Sequence, residues 1–171
     1  MPDPSLSHIS LTCDDPIAVE RYYTKHFGFR RARVVDMGQG AQIVFLRGAG
    51  TLLELFHGVR PNPLPPAQDD GYPWSGVRNI SFEVDDVDRK IAEMGSDALV
   101  TFGPLSFDAI IPGWRSAWLR DPTGNIIQIT KGFTDQQNPP PLPPGCSARW
   151  PRPSTAPDPH RCRPRLGSTR R

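Results

Sequence analysis

Four polar residues stand at matching places in a chain that repeats itself: His8, Glu54, Asn79 and Gln128. An imidazole nitrogen, a carboxylate and two amide oxygens form a donor set that a divalent cation accepts. The correspondence comes from two overlays. Residues 7–15 fall on 78–86 at a shift of 71 positions, with Ile, Ser, Asp and Asp coinciding, and His8 becomes Asn79. Residues 51–58 fall on 125–132 at a shift of 74, and Glu54 becomes Gln128. If the two copies associate about a pseudo-twofold axis, the four side chains converge in one cleft. Taken singly, each is also explained as a polar residue on a water-facing strand.

The elements that must carry these residues can be read from periodicity and punctuation. Ile9, Leu11 and Cys13 alternate with His8, Ser10 and Thr12, the period of a half-buried strand. Asp15-Pro16 opens a helix as N-cap and first residue, Val19, Tyr23 and Phe27 form its apolar stripe, and Gly28 ends it. Strands are predicted over 29–36, 42–47 and 51–57. The plan then recurs, with a strand over 79–84, a helix capped by Asp86 and closed by Gly95, and strands over 98–102, 114–120 and 125–131; residues 103–113 read as a loop. The predicted fold is α+β, two tandem β-α-β-β-β modules at 6–58 and 77–133 whose curved mixed sheets form a shared cleft. Between them, residues 59–76 read as a linker, or as a lid that offers Tyr72 and Trp74.

Charge is uneven. Residues 135–171 carry seven Arg and two Asp, a net +5, so the first 134 residues carry −3. A mildly acidic body with a basic tail gives no support to specific nucleic-acid binding. Ten of the last 33 residues are proline and seven are hydrophobic, so 134–171 is predicted to be a disordered Pro/Arg-rich tail. No apolar run reaches the ~20 residues of a membrane helix. Three cysteines without C-x-x-C spacing, and no signal peptide, predict a cytoplasmic protein. There is no P-loop, dinucleotide glycine motif or Ser-His-Asp arrangement.

The chain resembles the vicinal oxygen chelate superfamily, which includes glyoxalases, epimerases, extradiol dioxygenases, and bleomycin and fosfomycin resistance proteins. The resemblance rests on His8-Ile9-Ser10-Leu11, Phe27-Gly28-Phe29, Leu53-Glu54-Leu55-Phe56, residues 80–86, and Asp121-Pro122-Thr123-Gly124-Asn125. It implies a divalent metal (Mn, Ni, Zn, Fe or Mg) at His8, Glu54, Asn79 and Gln128. Relatives commonly have His where Asn79 stands and Glu where Gln128 stands, so the implied site is atypical. It also implies a homodimer and metal-assisted lyase or isomerase chemistry on a small carbonyl compound, in which Glu54 moves the proton. Asn79 and Gln128 argue against the dioxygenase branch, which needs a His-His-Glu iron site. The alternative is a non-catalytic small-molecule binding or sequestration protein of the bleomycin-resistance type, with Phe56, Trp114 and Trp118 as walls and Arg115 facing an anionic ligand.

Overall fold

The first helix forms where its caps place it. In the computed structural model, which describes residues 4–141, β1 (His8–Cys13) runs into α1 (Pro16–Phe27). The Asp15 carboxylate accepts hydrogen bonds from the backbone N–H groups of Ile17 and Ala18, each at 3.0 Å. Gly28 ends the helix with a left-handed φ of 67°. Strands β2 (Arg30–Gly38), β3 (Ala41–Gly48) and β4 (Thr51–His57) follow. The second half gives β5 (Ile80–Glu83), α2 (Val87–Met94), a single 3-10 turn (Gly95–Asp97), β6 (Leu99–Ser106), β7 (Arg115–Arg120) and β8 (Ile126–Lys131).

The fold is mixed α+β, with two four-stranded sheets ordered β1-β4-β3-β2 and β5-β8-β7-β6. In each sheet the first strand pairs parallel with the last, and the remaining pairs are antiparallel. One core serves both halves. Leu11, Tyr23, Leu53 and Leu55 share a buried cluster with Phe82, Met94, Leu119 and Ile127. Phe27 and Phe82 lie 4.6 Å apart between ring centroids, and the buried Tyr23 hydroxyl donates to Asp121 at 3.0 Å. That carboxylate is buried, and desolvation raises its pKa although the N–H groups of Thr123 and Asn125 also point at it. Asp97 joins the halves from the surface, accepting from Lys25 at 2.7 Å and His26 at 2.9 Å.

Two details depart from the sequence reading. Strand β6 continues through Gly103 and Pro104 to Ser106, where a loop is predicted from residue 103. It is an edge strand, and its ladder steps from Phe102↔Trp118 to Leu105↔Ser116, so the proline's missing N–H breaks no pair. Strand β2 carries a bulge: Arg31 opposes Leu46 but Arg33, not Ala32, opposes Phe45. The predicted tail lies outside the described residues beyond Pro141, as do Cys146 and Cys162.

Candidate functional site

Each sheet buries one face in the shared core and turns the other away from it. In the first sheet the outer face is laid out in rows by the register. Ser10, Glu54, Phe45 and Arg33 are cross-strand neighbours, and His8, Leu52, Arg47 and Arg30 form the next row. Glu54 is at the centre, with its side chain 14% exposed. Its Oε2 accepts from the Ser10 hydroxyl at 2.5 Å and lies 3.6 Å from His8 Nε2. Phe45, Leu52 and Phe56 are half-buried around it. Ser7, just before β1, is hydrogen-bonded to His8 Nδ1 at 3.1 Å; among the described residues, no side-chain hydrogen bond joins this face to the second half.

The equivalent face of the second sheet is covered in part: Trp118 and Ile126 are buried, while Ser81 and Phe102 stay exposed. Its matching row is Ser81, Gln128, Trp118 and Phe102. Residues 59–78, between β4 and β5, lie across it as a strap. Ala67 is 2% exposed and packs on Trp118 and Ile126, with Tyr72, Leu105 and Phe107 around them. Three side chains of the second half hold the strap by its carbonyls: Arg120 donates to Ala67 O at 2.6 Å, Thr101 to Asp69 O at 2.6 Å, and Asn79 to Asp70 O at 3.3 Å. Arg78 pairs with Asp70 and also reaches Tyr72 O.

The sequence-derived site residues therefore fall into two groups. His8 and Glu54 meet on the first face, beside Phe56. Asn79 and Gln128 lie on the second, where Gln128 Nε2 donates to Ser116 Oγ at 3.0 Å. Among the described residues, no hydrogen bond or ion pair links the two groups. Trp118 lies beneath the strap. Trp114 stacks on Phe107 at 4.5 Å and donates from its indole N–H to Thr130 at 3.0 Å. Arg115 points the other way, since alternation puts it with Ala117 and Leu119 on the helix side. There Asp88 of α2 accepts both its donors, at 2.7 and 2.8 Å.

Residues 5–129 match the sequence profile of the Glyoxalase/Bleomycin resistance protein/Dioxygenase superfamily. The chain belongs to that superfamily. Solved structures show the same fold. A glyoxalase/dioxygenase from Nostoc punctiforme is similar at a TM-score of 0.59 and 20% identity, over 76% of this chain and 92% of that one. An antibiotic-binding protein from a Streptomyces species aligns at 0.55 and 21%, over 78% and 99%. A fosfomycin resistance protein from Listeria monocytogenes, solved with Mn(II) and sulfate, aligns at 0.55 and 16%, over 77% and 95%. No curated protein matches the sequence. Among the described residues, no helix is long and apolar enough to cross a membrane.

A firmly held divalent metal generally takes three or more well-placed protein donors. The described residues contain no group of three His, Cys, Asp or Glu arranged to hold one. His8 and Glu54 are the two strong donors that meet, and Ser10 already occupies the shared carboxylate oxygen. Asn79 donates its amide N–H to the Asp70 carbonyl of the strap. Within one chain, His8 and Glu54 by themselves do not make up a three-donor site.

The sequence reading missed Arg30, Arg33 and Arg47, which share the open face with Phe45 and Glu54. Arg47 could have been found from its place two residues beyond Phe45. Arg30 and Arg33 depend on the bulge in β2, for which the sequence carries no mark.

Proposed function

We propose that this superfamily member binds a small molecule on the open face of its first sheet, without a tightly held metal. What supports the reading is the half-buried apolar surface of Phe45, Leu52 and Phe56 beside the Ser10–Glu54–His8 cluster, on a face that, among the described residues, no segment of the second half is hydrogen-bonded across. Aromatic and aliphatic side chains supply contact area there, and a few polar groups fix orientation, the usual composition of a small-molecule site. The fold-level likeness to an antibiotic-binding protein agrees, as analogy only. We also propose a homodimer in the cytoplasm.

Amide-detected NMR titration of the full chain with indole, benzyltrimethylammonium and phenylphosphonate tests the reading. At least one probe is expected to shift residues 43–47 and 52–56. Shifts confined to the strap and β7, or none from any probe, would sink it.

A second reading is metal-assisted lyase or isomerase chemistry on a small carbonyl compound, with Glu54 as the proton-moving group. The contact between His8 and Glu54 favours it, because it places an imidazole nitrogen next to a carboxylate. Titration with Mn(II) separates the two. Saturable paramagnetic broadening around His8 and Glu54 at micromolar metal, abolished by His8→Ala, is the result expected of the second reading. Its absence is expected of the first.

A further inference from the structure

The arginines of the first half are unevenly matched to acids. Of the ten arginines among the described residues, Arg31, Arg78, Arg89 and Arg115 pair with carboxylates and Arg120 holds a carbonyl. Three of the remaining five, Arg30, Arg33 and Arg47, stand on the open face of the first sheet. Arg30 is directly opposite Arg47, a cross-strand pairing of like charges that destabilises a sheet. Neighbouring strands are ~4.8 Å apart and alternate residues ~7 Å, so the three guanidinium groups can close on one small anion. Glu54 does not neutralise them: it is turned to Ser10 and His8, on the far side of Phe45 from Arg33.

The second half shows what this arrangement does when it is filled. Phe45 and Arg47 of β3 correspond to Trp118 and Arg120 of β7, at a shift of 73 positions. Arg120 donates to a carbonyl oxygen of the strap at 2.6 Å while Ala67 rests on the Trp118 ring. An acceptor on the arginine and an apolar group on the aromatic ring are thus already seated on one copy. The other copy presents the same pair with two more arginines beside it, and among the described residues no strap crosses it.

We propose that Arg30, Arg33 and Arg47 form an anion site that takes the phosphonate, phosphate or carboxylate group of a small organic molecule whose apolar body lies on Phe45 and Leu52. The proposal rests on reading this face as ligand-binding and adds the ligand's charge. Guanidinium groups suit these anions because they donate two parallel hydrogen bonds to paired oxygens.

Calorimetric titration of the full chain with phenylphosphonate, at low salt, tests it. Binding is expected, weakened at least about tenfold in R33E and in R47E, and weakened as ionic strength rises. Inorganic phosphate is expected to bind the same residues more weakly, since it lacks the ring. Both substituted residues are exposed, and circular dichroism checks that the variants stay folded. If benzyltrimethylammonium or indole binds the face and phenylphosphonate does not, the anion site is wrong while ligand binding on this face stands. If no probe binds, both fail. If the charge reversals change the sedimentation coefficient and leave phenylphosphonate affinity unchanged, the arginines belong to an interface between copies and the proposal is overturned.

Discussion

The two sheets share a plan and differ in what lies on them. Ser10, Glu54, Phe45 and Arg33 cross the first; Ser81, Gln128, Trp118 and Phe102 cross the second in the same order. On the second, the strap buries Trp118 to 7% exposure and brings carbonyls to Arg120, Thr101 and Asn79. On the first, aromatic, acidic and basic groups remain available. The two halves present similar faces, and the connecting segment lies on one of them. The teaching is that a residue's role follows from what its face meets. Asn79 stands where relatives commonly place a metal ligand, yet its amide is one of three clamps on the strap.

That contrast can be broken most directly at the aromatic pair. Trp118→Ala removes the seat of the strap and is expected to cost about 3–5 kcal/mol, the range for a buried aromatic. Phe45→Ala on the open face is expected to cost less than ~2 kcal/mol, because its surface is only half removed from water. Urea unfolding of the two variants gives both values, and equal losses would erase the distinction between the faces. The arginines should separate in the same direction. Arg120→Ala leaves the buried Ala67 carbonyl without its charged donor, an expected loss of about 1.5–3 kcal/mol. Arg47→Ala, exposed and unpaired, should change stability by no more than ~0.5 kcal/mol.

A finer comparison uses the residues that began the repeat. Asn79→Ala should cost about 0.5–1.5 kcal/mol and speed proteolytic nicking within residues 59–78, since one clamp is lost. His8→Ala should leave stability within ~0.5 kcal/mol and nicking unchanged. Nicking that is insensitive to Asn79 would show that the strap is held without it. The smallest effect concerns contacts away from both faces. Arg115 holds the Asp88 carboxyl below its ordinary value, and Lys25 with His26 does the same for Asp97. A depressed folded-state value means the stabilisation is present above the unfolded value near pH ~4 and lost as pH falls through the folded value. Denaturation midpoints should therefore decline from roughly pH 5 downward, and Asp97→Asn should flatten the decline. A midpoint that rises on acidification would contradict the ion-pair assignment.

Much of this was legible in the sequence because it is local. Asp15-Pro16 and Gly28 bound α1, Asp86 and Gly95 bound α2, and two-residue alternation identifies the buried faces of β1, β4, β5 and β8. The pairing of His8 with Glu54 was also within reach, since both are polar residues on what become neighbouring strands. The arginine cluster was not. A bulge of one residue, at Ala32, decides which of the β2 side chains share a face with Phe45, and strand alternation alone cannot locate it. Nor does a proline-rich stretch announce where it will lie.

The sequence by itself determined the repeat, the order of elements, and the superfamily, because caps, alternation and glycine positions act over a few residues. The tertiary structure decided which polar residues meet and which are used up. It turned Arg115 to Asp88, set Asn79 and Arg120 against the strap, and left Glu54, Phe45 and Arg47 open. Those outcomes depend on contacts between segments tens of residues apart, where packing and hydrogen-bond satisfaction, and not local propensity, choose among the alternatives.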